Sequence, residues 1–281
     1  MAGRPSAREL ERGAAARPPA AVASSAPSGE VLAMLRRRGF APRGSRRSRL
    51  PFPPGISAEA LERIAVRLGH YSFRLFLRGA LLAGGSFAPE SAARYVTPED
   101  AHAHAEWLVG EGLARRVAGG AYALVRPAQS FGEVLEWWVG RELRRRLALD
   151  VATGVRFPAA GVGGDLDVVA TAEGKLLYVE LKSSPPKHLT DAEVSSFLRR
   201  VRALRPDVAV FAMDTSLRLG DRVLPMLSAA LGPAAPAPRR LSRDNWALGP
   251  HLYAVSAKQD LVLNLERAIA EGFRALAPQP P

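Results

Sequence analysis

Apolar and polar positions change their spacing several times along the second half of the chain, residues 128–281. Apolar residues every three or four positions predict amphipathic helices, and short apolar runs between turn residues predict strands. The pattern runs helix, strand, strand, strand, helix, strand, so we expect an α/β fold with one further helix, strand and helix behind it. The predicted elements are Ser130–Ala148, Ala152–Phe157, Asp165–Thr171, Lys175–Lys182, Asp191–Leu204, Asp207–Met213, Arg222–Leu231, His251–Val255 and Leu261–Leu276, with a Pro/Ala loop at Gly232–Arg240.

Residues 55–127 have the pattern of a small, mainly helical unit that ends in a β-hairpin. Helical spacing recurs three times, and Leu113–Val125 then alternates apolar and polar residues around Gly119-Gly120. Three helices followed by a basic hairpin resemble a winged-helix DNA-binding domain, and an ordinary helical accessory domain is the alternative. On the first interpretation, Arg115 and Arg116 of the hairpin contact nucleic acid.

The third helix of this unit has a clear start. Thr97 is expected as its N-cap and Pro98 as its first residue, with acidic residues in the first turn. His102 and His104 lie two positions apart on it and therefore point to different sides. We expect two surface histidines there rather than a metal-binding pair.

The distribution of charged residues along the chain indicates a basic N-terminal tail. The chain has a net charge of +12, and residues 1–50 alone hold 11 Arg and 3 Glu. Because residues 1–54 are rich in Ala, Pro, Ser and Arg, we expect them to be disordered, with a hint of a helical turn only at Gly29–Leu35. A basic tail attracts nucleic acid by releasing counterions. A solvated tail without a partner is the alternative.

Several classes of protein are excluded by composition. The chain contains no cysteine, which excludes disulfides and thiolate zinc sites. No apolar run approaches the roughly 20 residues that a membrane span needs. The first residues lack the apolar segment of a secretory signal. We therefore expect a cytoplasmic protein that does not bind a membrane.

Four charged side chains lie on two predicted strands where apolar residues would pack better: Asp165, Asp167, Glu180 and Lys182. A hairpin that turns at residues 172–175 would place Asp167 opposite the end of the strand that carries Glu180 and Lys182. Carboxylate oxygens are ligands that Mg²⁺ prefers, and a lysine beside them would orient an attacking water. The alternative is structural, with Asp167 in a turn and Glu180 and Lys182 as a surface ion pair.

The spacing Asp167, twelve residues, Glu180-Leu181-Lys182 resembles the PD-(D/E)xK, or restriction-endonuclease-like, nuclease superfamily. The resemblance covers about Phe131–Asp214 and includes the order of the predicted elements. It implies that Asp167 and Glu180 bind Mg²⁺, for which Mn²⁺ substitutes, and that Lys182 completes the catalytic site. The sequence departs from the family pattern because a leucine, not a proline, precedes Asp167. Asp165 is the rival candidate for the first metal ligand.

Proteins of this superfamily often add a carboxylate from the first helix of the core. Ser130 and Glu133 fit a capping box, which gives Glu133 a structural role. Glu136 lies in an apolar run and has no such role, so we favour it as the additional catalytic residue and metal ligand.

The loop and helix after Lys182 supply further polar candidates. The family often takes one polar residue from this helix, and Ser196 or Arg200 would serve. Lys187 in the loop and Arg200 on the helix are expected to contact nucleic acid. A plain solvated loop and a solvated basic helix face are the alternatives.

Taken with the resemblance, these features predict a Mg²⁺-dependent DNA endonuclease, in which a winged helix (55–127) precedes a nuclease-like domain (128–281). Cutting both strands of a duplex would require two sites, hence a homodimer. Two alternatives remain open: a non-catalytic DNA-binding regulator built on the same fold, and a ribonuclease.

Overall fold

The computed structural model describes residues 29–43, 52, 55–92, 95–125, 130–156, 162 and 164–277. Within these residues, the longest apolar helices still fall short of what a lipid bilayer would require for crossing. The first part of the chain forms α1 (Gly29–Arg37), α2 (Ala58–Leu68), α3 (Tyr71–Leu82), β1 (Ser86–Phe87), α4 (Pro89–Ala92), α5 (Pro98–Gly110), β2 (Ala114–Arg116) and β3 (Tyr122–Leu124).

The second part forms the larger layered unit. Its elements are α6 (Phe131–Leu147), β4 (Asp150–Arg156), β5 (Asp165–Ala172), β6 (Lys175–Lys182), α7 (Asp191–Leu204), β7 (Val208–Met213), α8 (Val223–Leu231), β8 (Arg239–Ser242), β9 (Asn245–Ala247), β10 (Leu252–Ser256) and α9 (Leu261–Leu276).

A mixed seven-stranded sheet forms the centre of this unit, in the order β4-β5-β6-β7-β10-β9-β8. The pairs β6–β7 and β7–β10 are parallel, and the other pairs are antiparallel. Buried side chains of α6 and α9 pack on one face, and those of α1, α7 and α8 pack on the other. Both faces of the central strands are therefore covered, which explains why they are mainly apolar. The α/β class predicted from the sequence is confirmed.

The smaller unit combines α2, α3 and α5 with a three-stranded sheet in the order β1-β3-β2. The predicted N-cap of α5 is present, since the Thr97 hydroxyl accepts a hydrogen bond from the amide of Asp100. The predicted β2–β3 hairpin is also present, with its glycines at positive φ.

The interpretation of His104 as a surface residue is wrong. His104 is buried between aromatic rings, and its Nδ1 lies 2.9 Å from Nη2 of Arg67. Burial, and then the charge of Arg67, lower its pKa to about 4, so it is a neutral core residue. His102 is exposed, as expected.

Helix α1 corrects the expectation that residues 1–54 are a disordered tail. Val31 and Leu35 are fully buried against the sheet, and the amide of Val31 donates to the Asp150 carboxylate at 3.1 Å. A nine-residue helix is too short to be stable alone. Its stability comes from packing on β4 and β5, which the local pattern does not reveal. Residues 1–28 and 44–51 of the predicted tail lie outside the described residues.

Strands β8 and β9 are a second correction. The sequence predicts a loop at Gly232–Arg240 and no element at 241–250, yet the two strands pair antiparallel and extend the sheet beyond β10. Strand β8 forms the sheet edge with exposed or half-buried residues, and β9 has only three residues, so neither shows the continuous apolar pattern of the central strands.

Candidate active site

The candidate site lies where the β5–β6 hairpin opens. The hairpin turns through Glu173 and Gly174, both at positive φ, as a two-residue turn requires. Backbone pairing runs from there to Val168 opposite Val179. One step further along the same register are Asp167 and Glu180. There the Asp167 Oδ2 atom accepts a hydrogen bond of 2.7 Å from the amide of Leu181, so a carboxylate takes the place of a backbone carbonyl.

Glu180 is the most constrained carboxylate of the site. It is 2% exposed. Its Oε1 atom lies 2.9 Å from Nζ of Lys182, and its Oε2 atom lies 2.8 Å from Nη1 of Arg200. The hydroxyl of Tyr178 also donates to Oε2. Both carboxylate oxygens are therefore occupied by donors of this chain.

Lys182 connects Glu180 to the start of α7. Its Nζ atom also lies 3.5 Å from Oε1 of Glu193. Burial would lower the pKa of Lys182, but the charge and hydrogen bond of Glu180, together with the charges of Asp167 and Glu193, outweigh burial and raise the pKa. Lys182 is therefore a firmly held cation at the mouth of the cluster.

Glu136 and Asp167 concentrate negative charge beside Glu180. Burial, followed by the charges of Asp167 and other carboxylates, raises the pKa of Glu136 to about 9. Burial, followed by the charge of Glu180, raises the pKa of Asp167 to about 8. Carboxylates gathered in a partly desolvated place favour protonation or a bound cation. The structure thus brings together Asp167, Glu180, Lys182 and Glu136, all four predicted catalytic residues.

The capping box predicted for Glu133 is not formed, because the Ser130 side chain makes no capping hydrogen bond. Glu133 instead lies close enough to Glu136 for its charge to raise the Glu136 pKa. The structural role predicted for Glu133 is therefore wrong, whereas Glu136 does face the cluster.

The other candidates of the core have different surroundings. Asp165 lies at the rim, where its Oδ1 accepts from Nε of Arg156 at 2.7 Å. Lys187 is exposed in a short 3-10 turn, and Ser196 accepts a hydrogen bond from Arg199. Arg200, a candidate both for the site and for contact with nucleic acid, pairs with Glu180 inside the site.

The two hairpin cations lie on β2 of the smaller unit and are both exposed. Arg116 is engaged by Glu106, with its Nε atom 3.0 Å from Oε1. Arg115 lines a shallow open pocket between the hairpin and the end of α3.

A divalent metal suits the donor chemistry of the cluster. Asp167 and Glu180 are hard oxygen ligands, and burial, followed by the charge of Glu180, raises the pKa of Asp167, so a cation beside these carboxylates would be stabilising. Within the described ranges, no group of three or more His, Asp or Glu side chains is arranged to hold a metal ion. Mg²⁺ is commonly bound by one or two carboxylates together with waters and phosphate, so two ligands would suffice.

Two parts of the site were missed from the sequence. Tyr178 is not among the residues predicted from the sequence, but its hydroxyl donates a hydrogen bond to Glu180. Asp214, at the end of β7, is 1% exposed, and its amide donates to the Lys182 carbonyl at 2.8 Å. An acid directly after the apolar strand 208–213 is the feature that could have drawn attention to it.

Asp214 also joins the two units of the molecule. Its Oδ1 atom lies 3.0 Å from Nε of Arg74, and its Oδ2 atom lies 2.9 Å from Nη2 of Arg78. Both arginines belong to α3. Arg74 is itself fully buried and stacks over the ring of Trp138 on α6. The helical unit is thereby fixed to the strand that neighbours Lys182.

Comparison with known proteins adds a likeness in fold. No protein-family model and no curated protein sequence matches the chain. Among solved structures, protein VC1899 from Vibrio cholerae is similar with a TM-score of 0.54 and 15% identity over 86% of this chain. The chain spans 62% of the length of VC1899. At this identity, the likeness shows the fold alone.

A second solved structure, Can2 from Sulfobacillus thermosulfidooxidans in complex with cyclic tetra-adenylate, is similar with a TM-score of 0.43 and 14% identity. The similar region covers 65% of this chain and 50% of Can2.

Proposed function

We propose that the protein is a metal-dependent nuclease that hydrolyses phosphodiester bonds of DNA. The observation that carries the proposal is the cluster of Asp167, Glu180 and Lys182 at the open end of the hairpin, with the pKa of Asp167 raised by burial and by Glu180. Charged groups gathered in this way at a strand end, with strongly perturbed pKa values, are typical of catalytic sites.

Each residue has a distinct role in this proposal. Asp167 and Glu180 hold Mg²⁺, or Mn²⁺ in its place, and Glu136 supplies a third carboxylate from α6. The bound metal ion supplies a water of lowered pKa and stabilises charge on the phosphate. Lys182, held between Glu180 and Glu193, donates hydrogen bonds that orient the attacking water. Asp165 at the rim assists the metal site.

The smaller unit supplies nucleic-acid binding in this proposal. Its three helices and its sheet of order β1-β3-β2 have the make-up of a winged-helix domain. Arg115 on the hairpin is exposed and meets the DNA backbone, joined by Arg116 once Glu106 releases it. Lys187 contacts the backbone near the site. Two copies of the chain would place one site on each strand of a duplex.

The test is cleavage of plasmid and short structured DNA, with RNA in parallel, in Mg²⁺, Mn²⁺ or EDTA. Lys182→Ala removes the cation of the cluster. Lys175→Ala is the matched control, because it removes the lysine at the opposite end of the same strand. We expect metal-dependent cleavage that Lys182→Ala abolishes and Lys175→Ala retains. Cleavage that survives Lys182→Ala would contradict the assignment of the site.

One observation favours a second function, that of a non-catalytic DNA-binding regulator. Lys182 and Arg200 already pair with Glu180, so this carboxylate is neutralised without a metal ion. DNA binding with no cleavage under any metal would support the regulator. Degradation of RNA but not of DNA would support a ribonuclease.

A further inference from the structure

Arg200 binds one of the two oxygens through which Glu180 would hold a metal ion. Its Nη1 atom is 2.8 Å from Glu180 Oε2 and 3.4 Å from the hydroxyl of Tyr178. The guanidinium also lies against the backbone of Gly164, where an added Cβ would come within 2.5 Å of Nη2. Arg200 is thus an inward-facing cation held on two sides, unlike Arg199, which bonds only locally to Ser196 on the exposed face of α7.

Three donors already share the two oxygens of the Glu180 carboxylate. Lys182 holds Oε1, whereas Arg200 and Tyr178 together fill both lone pairs of Oε2. A metal ion that binds Oε2 must therefore displace one of these two donors, and the charge of Arg200 repels the metal ion. The arginine has a ready alternative partner, because a guanidinium binds a phosphate through two parallel hydrogen bonds.

We propose that Arg200 exchanges partners: it holds Glu180 in the metal-free protein and binds the scissile phosphate once a metal occupies Glu180. This inference rests on the proposed nuclease function. Arg200 then competes with the metal in the free protein and assists it in the complex with substrate. The metal ion and the nucleic acid therefore bind cooperatively, because each favours the state in which Arg200 has left Glu180.

The test measures Mn²⁺ affinity and the rate of DNA cleavage, because removal of Arg200 should increase the first and decrease the second. Mn²⁺ binding is titrated calorimetrically in the absence of nucleic acid for wild type, Arg200→Met and the control Arg199→Met. A neighbouring charge shifts proton binding to a carboxylate by about 1–3 pKa units, so we expect Arg200→Met to bind Mn²⁺ at least about tenfold more tightly. Plasmid cleavage by Arg200→Met should fall about 100-fold, as on removal of one donor to a developing anion. Arg199→Met should change neither quantity.

Each other outcome overturns the exchange. Weaker Mn²⁺ binding together with lost cleavage would make Arg200 a structural residue. Unchanged Mn²⁺ binding, with normal metal-dependent cleavage by wild type, would refute the exchange and leave the nuclease standing. Failure of folded wild type to bind Mn²⁺ at all would refute both proposals. Arg200→Gln, which keeps hydrogen bonds without the charge, provides the same test if Arg200→Met does not fold.

Discussion

Removal of the Asp214 carboxylate should destabilise the protein more than any other single change at the contact between its two units. Asp214 is 1% exposed and binds two cations, of which Arg74 is also 1% exposed. In Asp214→Ala, Arg74 keeps only its bonds to the carbonyls of Leu68 and Gly69 and loses its counter-charge. Breaking a buried ion pair by removing one partner costs about 3–5 kcal/mol, because a charge is left buried without compensation.

The structure also ranks the partners of Asp214. Arg74→Met removes a buried cation but leaves Asp214 paired with Arg78, so we expect a smaller loss of about 2 kcal/mol. The Arg78 side chain is 13% exposed, and Arg78→Met should cost about 1 kcal/mol. The expected order of destabilisation is Asp214→Ala, then Arg74→Met, then Arg78→Met.

The assay is urea unfolding at pH 7, monitored by tryptophan fluorescence and by circular dichroism. Trp107 lies in the helical unit and Trp138 packs on the sheet, so a single coincident transition would show that the units unfold together. A loss below about 1 kcal/mol for Asp214→Ala would refute the reasoning. A larger loss of stability for Arg78→Met than for Asp214→Ala would also refute it, because the buried charge of Arg74 would then have another partner.

Three further predictions concern pH and backbone. The raised pKa values of Glu136 and Asp167 mean that the metal-free native state binds more protons than the unfolded chain above about pH 4, so its stability should fall as pH rises to about 8. In Glu136→Gln, the decrease of the free energy of unfolding with pH should become smaller by up to about 1.4 kcal/mol per pH unit, and the protein should be more stable at pH 8. Urea unfolding at several pH values measures both effects. An unchanged pH dependence would contradict the clustering of these acids. A Cβ on Gly79 would lie 1.4 Å from the carbonyl oxygen of Ala92, so Gly79→Ala should lower the free energy of unfolding by about 3 kcal/mol, whereas Gly110→Ala, with open space around it, should be neutral or stabilising. Glu173 has φ 52° in the two-residue turn, so Glu173→Asn should raise the melting temperature slightly; a decrease would argue against this turn geometry.

The sequence by itself determined the local features of the fold. The α/β class, the N-cap at Thr97 and the turn at Glu173-Gly174 follow from contacts between residues a few positions apart. The position of Asp167 opposite Glu180 is also a local feature, because a short turn and the two-residue period of strands determine the register of a hairpin.

Only the tertiary structure decided how distant segments meet. Arg74 and Asp214 are separated by 140 positions, and no periodicity links them. The docking of α1 on the sheet, the burial of His104 and the placement of Arg200 on Glu180 likewise depend on which helix face packs against which layer. A local pattern predicts whether a residue is polar, but the packing of whole elements determines which partner that residue contacts. For this reason the sequence predicted the acids and the lysine of the site and offered Arg200 only as one of two candidates, and the structure alone showed that Arg200 pairs with Glu180.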